Sequence, residues 1–147
     1  AGLIVGGFGL GGLLFAIFSR HTIARLGERG LALVGSAGLT TGLLAAVGSP
    51  VLAGAIAACL LTGFGFYMMH NTVQTRGTQL APANRGIGLA CMALALFSGQ
   101  SAGVAAAAEV IDIVGYGATI AGMGVLAAVL GVVIAHWLRN HPPLRDL

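Results

Sequence analysis

The 147-residue chain is 57% apolar and only 7% charged, with a net charge of +3, where ordinary soluble domains hold roughly 45–50% apolar and about 25% charged residues. A soluble domain this short keeps too much of its surface in water to hide such a composition, so the solvent for most of the chain is lipid. The positive charge comes with no basic run, phosphate-cradling glycine loop or aromatic platform, which argues against a nucleic-acid partner.

In chain order, the uncharged stretches predict five transmembrane helices, since about 20 apolar residues cross roughly 30 Å of hydrocarbon. The first lies near 1–18. It has no basic leader and Arg20 follows it, unlike a secretory signal. Gly30 to Thr75 is uncharged for 46 residues, too long for one span. Gly48-Ser49-Pro50 divides it with a tight turn into spans near 31–47 and 51–74. Gly86 to Ala108 and Ile113 to Leu138, uncharged over 23 and 26 residues, predict spans near 86–108 and 113–138. The expected fold class is an all-α membrane protein. Because the chain opens at Ala1, without Met and already in an apolar stretch, it reads as the back part of a longer protein.

The seven basic residues are all Arg, and they fall on one side of this topology. Arg20, Arg25 and Arg29 follow the first span, Arg76 and Arg85 the third, and Arg139 and Arg145 the fifth. The connections at Gly48–Pro50 and Glu109–Asp112 have none. Basic loops stay cytoplasmic, so the N-terminus is expected outside and the C-terminus inside. Trp137 suits an inner interfacial anchor and Tyr116 an outer one. Arginine without lysine, in a Gly- and Ala-rich chain, points to GC-rich coding and a bacterial cytoplasmic membrane. Cys59 and Cys91 fall inside spans and read as small apolar packing residues. With no CxxC and no His/Cys cluster, neither a metal nor another cofactor is expected.

The segment FSGQSAG, Phe97 to Gly103, spells the nucleophile elbow of serine hydrolases. No strand precedes it, and His70, His136 and His141 belong near the opposite face, so Ser101 is not expected to be catalytic and the chain is not expected to be an enzyme. Gly99 and Gly103 share a helix face and suit close helix packing, as do Gly2/Gly6, Gly7/Gly11 and Gly38/Gly42. Gln100 needs a partner in lipid, either another helix or a substrate. Tyr67, His70, Asn71 and Gln74 fall at i, i+3, i+4 and i+7 on one helical face, extended by Gly63. That face reads as a cavity wall, as polarity within reach of interfacial water, or, at His70, as a proton-transfer group. The Met68/Met69 pair reads as packing.

Five helices with the N-terminus outside resemble helices eight to twelve of a major facilitator superfamily transporter. The loop Arg20 to Gly30 is similar to that family's signature at Arg25, Gly27 and Arg29. It departs from the signature at Arg20, Ala24 and Glu28, which stand where the family has Gly, Asp and a basic residue. The segment His70 to Gly103 resembles the stretch leading into helix eleven of drug or sugar efflux members. Pro82, Arg85 and Gly86 match the loop and Gly99 and Gly103 the helix, although Val104 replaces a frequent proline.

The resemblance implies the C-terminal part of an efflux-type secondary transporter, proton-coupled, whose missing N-terminal half is its partner across a central small-molecule site. Tyr67, His70, Asn71, Gln74 and Gln100 are then the candidate cavity residues. Any coupling carboxylate belongs to the missing half, because none lies within a span here. Arg25 and Arg29 either latch the halves by pairing with helix ends or acids, or only set topology. The rival expectation is a small complete helical membrane protein acting as a binding or assembly subunit, with its glycine faces receiving partner helices.

Overall fold

In the computed structural model, which describes residues 2–79 and 82–141, the chain forms three α-helices. These are α1 (Gly2–Gly48), α2 (Leu52–Gln79) and α3 (Arg85–Asn140), with a 3-10 turn at Pro82–Asn84 before α3. Arg145 and Ala1 lie outside the described residues. The three helices are each long and apolar enough to cross a membrane. Much of their outer surface is apolar, with side chains such as Leu3 and Ile113 standing 73% and 81% exposed. Apolar surface on this scale marks an interaction face on a soluble protein and a lipid-facing wall on a membrane protein.

This corrects the expected fold class: five separate helices do not form. The expected spans 1–18 and 31–47 both belong to α1, and 86–108 and 113–138 both belong to α3. The segments read as loops, 19–30 and 109–112, stay helical. Neither contains proline, and Leu, Arg, Glu and Ala are good helix formers, so polarity brings water to these segments without unwinding them. Each long helix is interrupted only at one glycine, Gly27 (φ 62°, ψ −180°) in α1 and Gly115 (φ 81°, ψ 167°) in α3. That combination of angles is essentially restricted to glycine.

The long helices double back at these points. Phe15 and Leu31 meet Met68 of α2 in one buried cluster, although a straight helix would hold them about 24 Å apart. Gly103 and Met123 line one depression, where a straight α3 would separate them by about 30 Å. One end of the bundle thus carries the Gly27 kink, the end of α2 and both termini of α3, and with them all six arginines among the described residues. The other end carries the turn from Gly48 to Val51 and the Gly115 kink, where Gly117 approaches Val47.

Small residues let the arms approach. Gly11 faces the Leu60 carbonyl and Gly63, while Gly63 faces the Phe8 carbonyl. Gly35 opposes Gly65, and Gly42 opposes Thr62 and Ala58. Between α1 and α3, Gly131 lies against Ser36, and Ala32 packs with Ala135 and Leu138. The Thr40 hydroxyl donates a 2.8 Å hydrogen bond to the Gly124 carbonyl, joining elements 84 residues apart in sequence. By contrast, among the described residues Gly2, Gly6, Gly99 and Gly103 have no neighbouring atom within 4 Å of where a Cβ would stand.

Two substitutions separate backbone conformation from packing. Gly27→Ala meets no atom within 4 Å, yet it is expected to destabilise the protein by about 1–3 kcal/mol through backbone strain alone. An unchanged thermal unfolding midpoint in detergent would mean that the kink is not at Gly27. Gly63→Ala pushes a methyl into the Phe8 carbonyl and is expected to cost about 1–3 kcal/mol by overpacking. Gly99→Ala, with open space around it, serves as the control that leaves the midpoint unchanged or higher.

Candidate functional site

The helical period sorts α2 into two faces. Met68, Met69 and Thr72 are buried towards its neighbours, and the Thr72 hydroxyl bonds back to the Met68 carbonyl at 3.2 Å. The other face carries Tyr67, His70, Asn71 and Gln74. His70 and Asn71 are half-buried, while Tyr67 and Gln74 are exposed. Gly63 lies one turn before Tyr67 on this face but is not open. It is buried against the backbone of Phe8 and belongs to the seam between α1 and α2.

Aromatic rings hold the open face in place. The Tyr67 ring lies across Gly12, where a Cβ would collide with it. Phe8 of α1 stands 5.9 Å from Tyr67 and 5.5 Å from Phe66, centroid to centroid. Phe66 meets Tyr67 edge-on at 5.5 Å and stacks on His70 at 5.6 Å with only 10° between planes. Such pairs each contribute about 0.5–1.5 kcal/mol beyond area burial, which fixes the imidazole without occupying its nitrogens. None of Tyr67, His70, Asn71 and Gln74 has a side-chain hydrogen-bond partner among the described residues. They form a row of unpaired phenol, imidazole and amide groups on an aromatic base.

Gln100 stands elsewhere. It is exposed on the first arm of α3, beside a depression of about 400 Å³ with Gly103, Val104, Ala107, Ile111 and Met123. No residue of the α2 face lines that depression. The structure therefore brings four of the five candidate cavity residues together and leaves Gln100 apart. Ser101 is exposed in a shallow depression with Phe97, Gln100 and Val104, and its lining includes neither histidine nor carboxylate. Gly99 and Gly103 are bare among the described residues.

At the arginine-bearing end, Arg76 of α2 pairs through Nη2 with Oε2 of Glu28, the residue after the α1 kink. The two side chains are 12% and 28% exposed, so the pair is largely out of water. The Arg76 guanidinium also lies 5.9 Å from the ring centre of Trp137 on α3. One side chain thus ties together all three helices. Arg25 and Arg29, the expected latch residues, are exposed and make no ion pair among the described residues. Sequence reading passed over Glu28 because it counted as a departure from a basic position. Its signal was electrostatic: it is the only acid near six arginines among the described residues.

Neither family models, nor curated proteins, nor solved structures match this chain. Its class therefore rests on its own physics. It is a helical chain of integral-membrane type.

The ion pair is tested by Glu28→Gln, which keeps the shape and removes the charge. Leaving Arg76 without its carboxylate is expected to cost about 1–3 kcal/mol of stability. Adding Arg76→Gln should restore part of that loss in a double-mutant cycle. Strictly additive effects on the unfolding midpoint would show that the two side chains do not interact.

Proposed function

We propose that this chain is the C-terminal part of a secondary transporter of the major facilitator type. It moves a small molecule outward by alternating access, coupled to protons, in a bacterial cytoplasmic membrane. The observation that carries the reading is the open face of α2, where Tyr67, His70, Asn71 and Gln74 sit on aromatic support with no side-chain hydrogen-bond partner among the described residues. Unpaired polar groups are costly against lipid, and polar residues inside membrane proteins face water-filled routes or other helices. A second half of the transporter across this face would enclose a polar, ring-lined site near the membrane interior.

Two further features support the same reading. The glycine seams between α1 and α2 make a closely packed unit able to rock as one body. The Glu28–Arg76 pair and the Trp137 contact brace that unit at one end. With the arginine-rich end in the cytoplasm, the N-terminus of the chain lies outside and the C-terminus inside. His70, whose imidazole stacks on Phe66, is the residue on this face assigned to proton transfer. A coupling carboxylate belongs to the other half.

A rival reading rests on a different observation. Residues 94–106 of α3 are exposed throughout, and Gly99 and Gly103 meet nothing there. That face fits a partner helix in an assembly subunit equally well. Transport separates the two readings. Asn71→Ala and Gln74→Ala in the intact protein are expected to lower export by about 5- to 150-fold, equivalent to a lost polar contact of about 1–3 kcal/mol. Gln100→Ala tests whether the α3 position shares the route. Unchanged export rates and substrate range across all three variants would remove these residues from the cavity wall.

A further inference from the structure

Next to the braced end lies a cavity of about 590 Å³. Its walls come from the end of α2 and from both ends of α3, including Val73, Arg76, Cys91, Met92, Ala95 and Trp137. The cavity exists because the helices diverge. At Gly77 the two elements touch, with Met92 filling the space beside that glycine. Beyond that contact the first arm of α3 leaves the bundle, and residues 94–106 are all exposed.

The cavity is apolar with one charged wall. The hydroxyl of Thr72, which also lines it, is already committed to the Met68 carbonyl. Arg76 spends Nη2 on Glu28, while its Nε is buried with no partner among the described residues. Two more arginines flank the lining along the chain. Arg85 precedes Ile87 by two residues, and Arg139 follows Leu138 directly; both are exposed. The only acid at this end among the described residues is Glu28, which Arg76 already engages.

These features define the occupant. A helix about 10 Å across would fill 590 Å³ with roughly 7–8 Å of its length, less than two turns, so the space is too small for another membrane span. A slender apolar chain fits. Basic pockets between membrane helices on the cytoplasmic side attract anionic lipid head groups, and arginine holds phosphate oxygens through charge-assisted bonds. We propose that the cavity binds an anionic phospholipid, with one acyl chain in the apolar cleft. The phosphate lies against Arg85 and Arg139 at the rim, and Arg76 Nε is the inner donor. The lipid fills the wedge between α2 and the departing arm of α3, and so sets the angle at which that arm leaves. The proposal rests on the cytoplasmic placement of the arginine-bearing end and not on any transported substrate.

The test uses the protein purified in mild detergent and offered phosphatidylglycerol or phosphatidylcholine with identical acyl chains. Native mass spectrometry should show one retained phosphatidylglycerol, bound at least about fivefold more tightly than phosphatidylcholine, the scale expected for one arginine near a head group. Arg85→Gln with Arg139→Gln should abolish that preference. Ala95→Phe should fill the cleft and remove binding. Should that variant fail to fold, a Cys59→Ala background leaves Cys91 as a reporter on the wall. Phosphatidylglycerol, and not phosphatidylcholine, should then slow its reaction with maleimide. Equal binding of the two lipids would overturn the proposal. So would full binding by folded Ala95→Phe, or Cys91 labelling that phosphatidylglycerol leaves unchanged.

Discussion

Everything else in this molecule rests on how closely the backbones of α1 and α2 approach. Lipid tails are as apolar as leucine, so helices in a membrane gain little by hiding apolar surface from their solvent. Association depends on dispersion contacts, which fall off steeply with even a small gap. At Gly11, Gly35, Gly42, Gly63 and Gly65 one backbone lies directly against another helix. A methyl at most of these positions would fall within the neighbour's backbone. The seam positions the Tyr67 ring over Gly12 and buries Met68 between Phe15 and Leu31. It thereby decides which face of α2 stays open.

Length imposes the second constraint. Helices of 47 and 56 residues would run about 70 and 84 Å if straight, more than twice the roughly 30 Å of hydrocarbon. Each therefore turns back, and does so at one glycine whose backbone angles exclude a side chain. A single-residue reversal leaves the flanking residues helical and places the N–H and C=O groups that lose their helical partners there at the ends of the bundle. It also gathers the charged residues. The kink at Gly27 carries Arg20, Arg25, Glu28 and Arg29 to the end where α2 finishes and α3 begins and ends. Only one of those residues, Glu28, enters the bundle's contacts, because it alone can neutralise an arginine that the packing of α2 places largely out of water.

The two features that point to function are what this packing leaves open. The α2 face keeps its phenol, imidazole and amide groups free because Met68, Met69 and Thr72 take the buried positions on the other side of the helix. The cavity beside Arg76 exists because α3 touches α2 at Gly77 and Met92 and then departs. One is an open helix face, polar and ring-lined. The other is apolar with a cationic edge, suited to a lipid.

Much of this was legible in the residues themselves. Composition identified lipid as the solvent and helix as the fold, because only closed hydrogen bonding survives there. The period of Tyr67, His70, Asn71 and Gln74 marked a single face, and the Met68/Met69 pair was read as packing. The spacing of glycines showed which faces could come close, but not which ones do. Gly7/Gly11 found a partner helix, while Gly2/Gly6 and Gly99/Gly103 did not, since spacing describes one helix and contact requires two. Polarity at 19–30 and 109–112 suggested loops, yet those segments stay helical. Charge reports which solvent a segment meets and says nothing about whether its backbone is bonded. The Glu28–Arg76–Trp137 contact joins positions 28, 76 and 137, and no local pattern links residues so far apart. Sequence by itself determined the solvent, the helical backbone and the character of each face. Tertiary structure alone decided the number of helices, the pairing of charges and the cavity, because these depend on where the chain reverses and which backbones then meet.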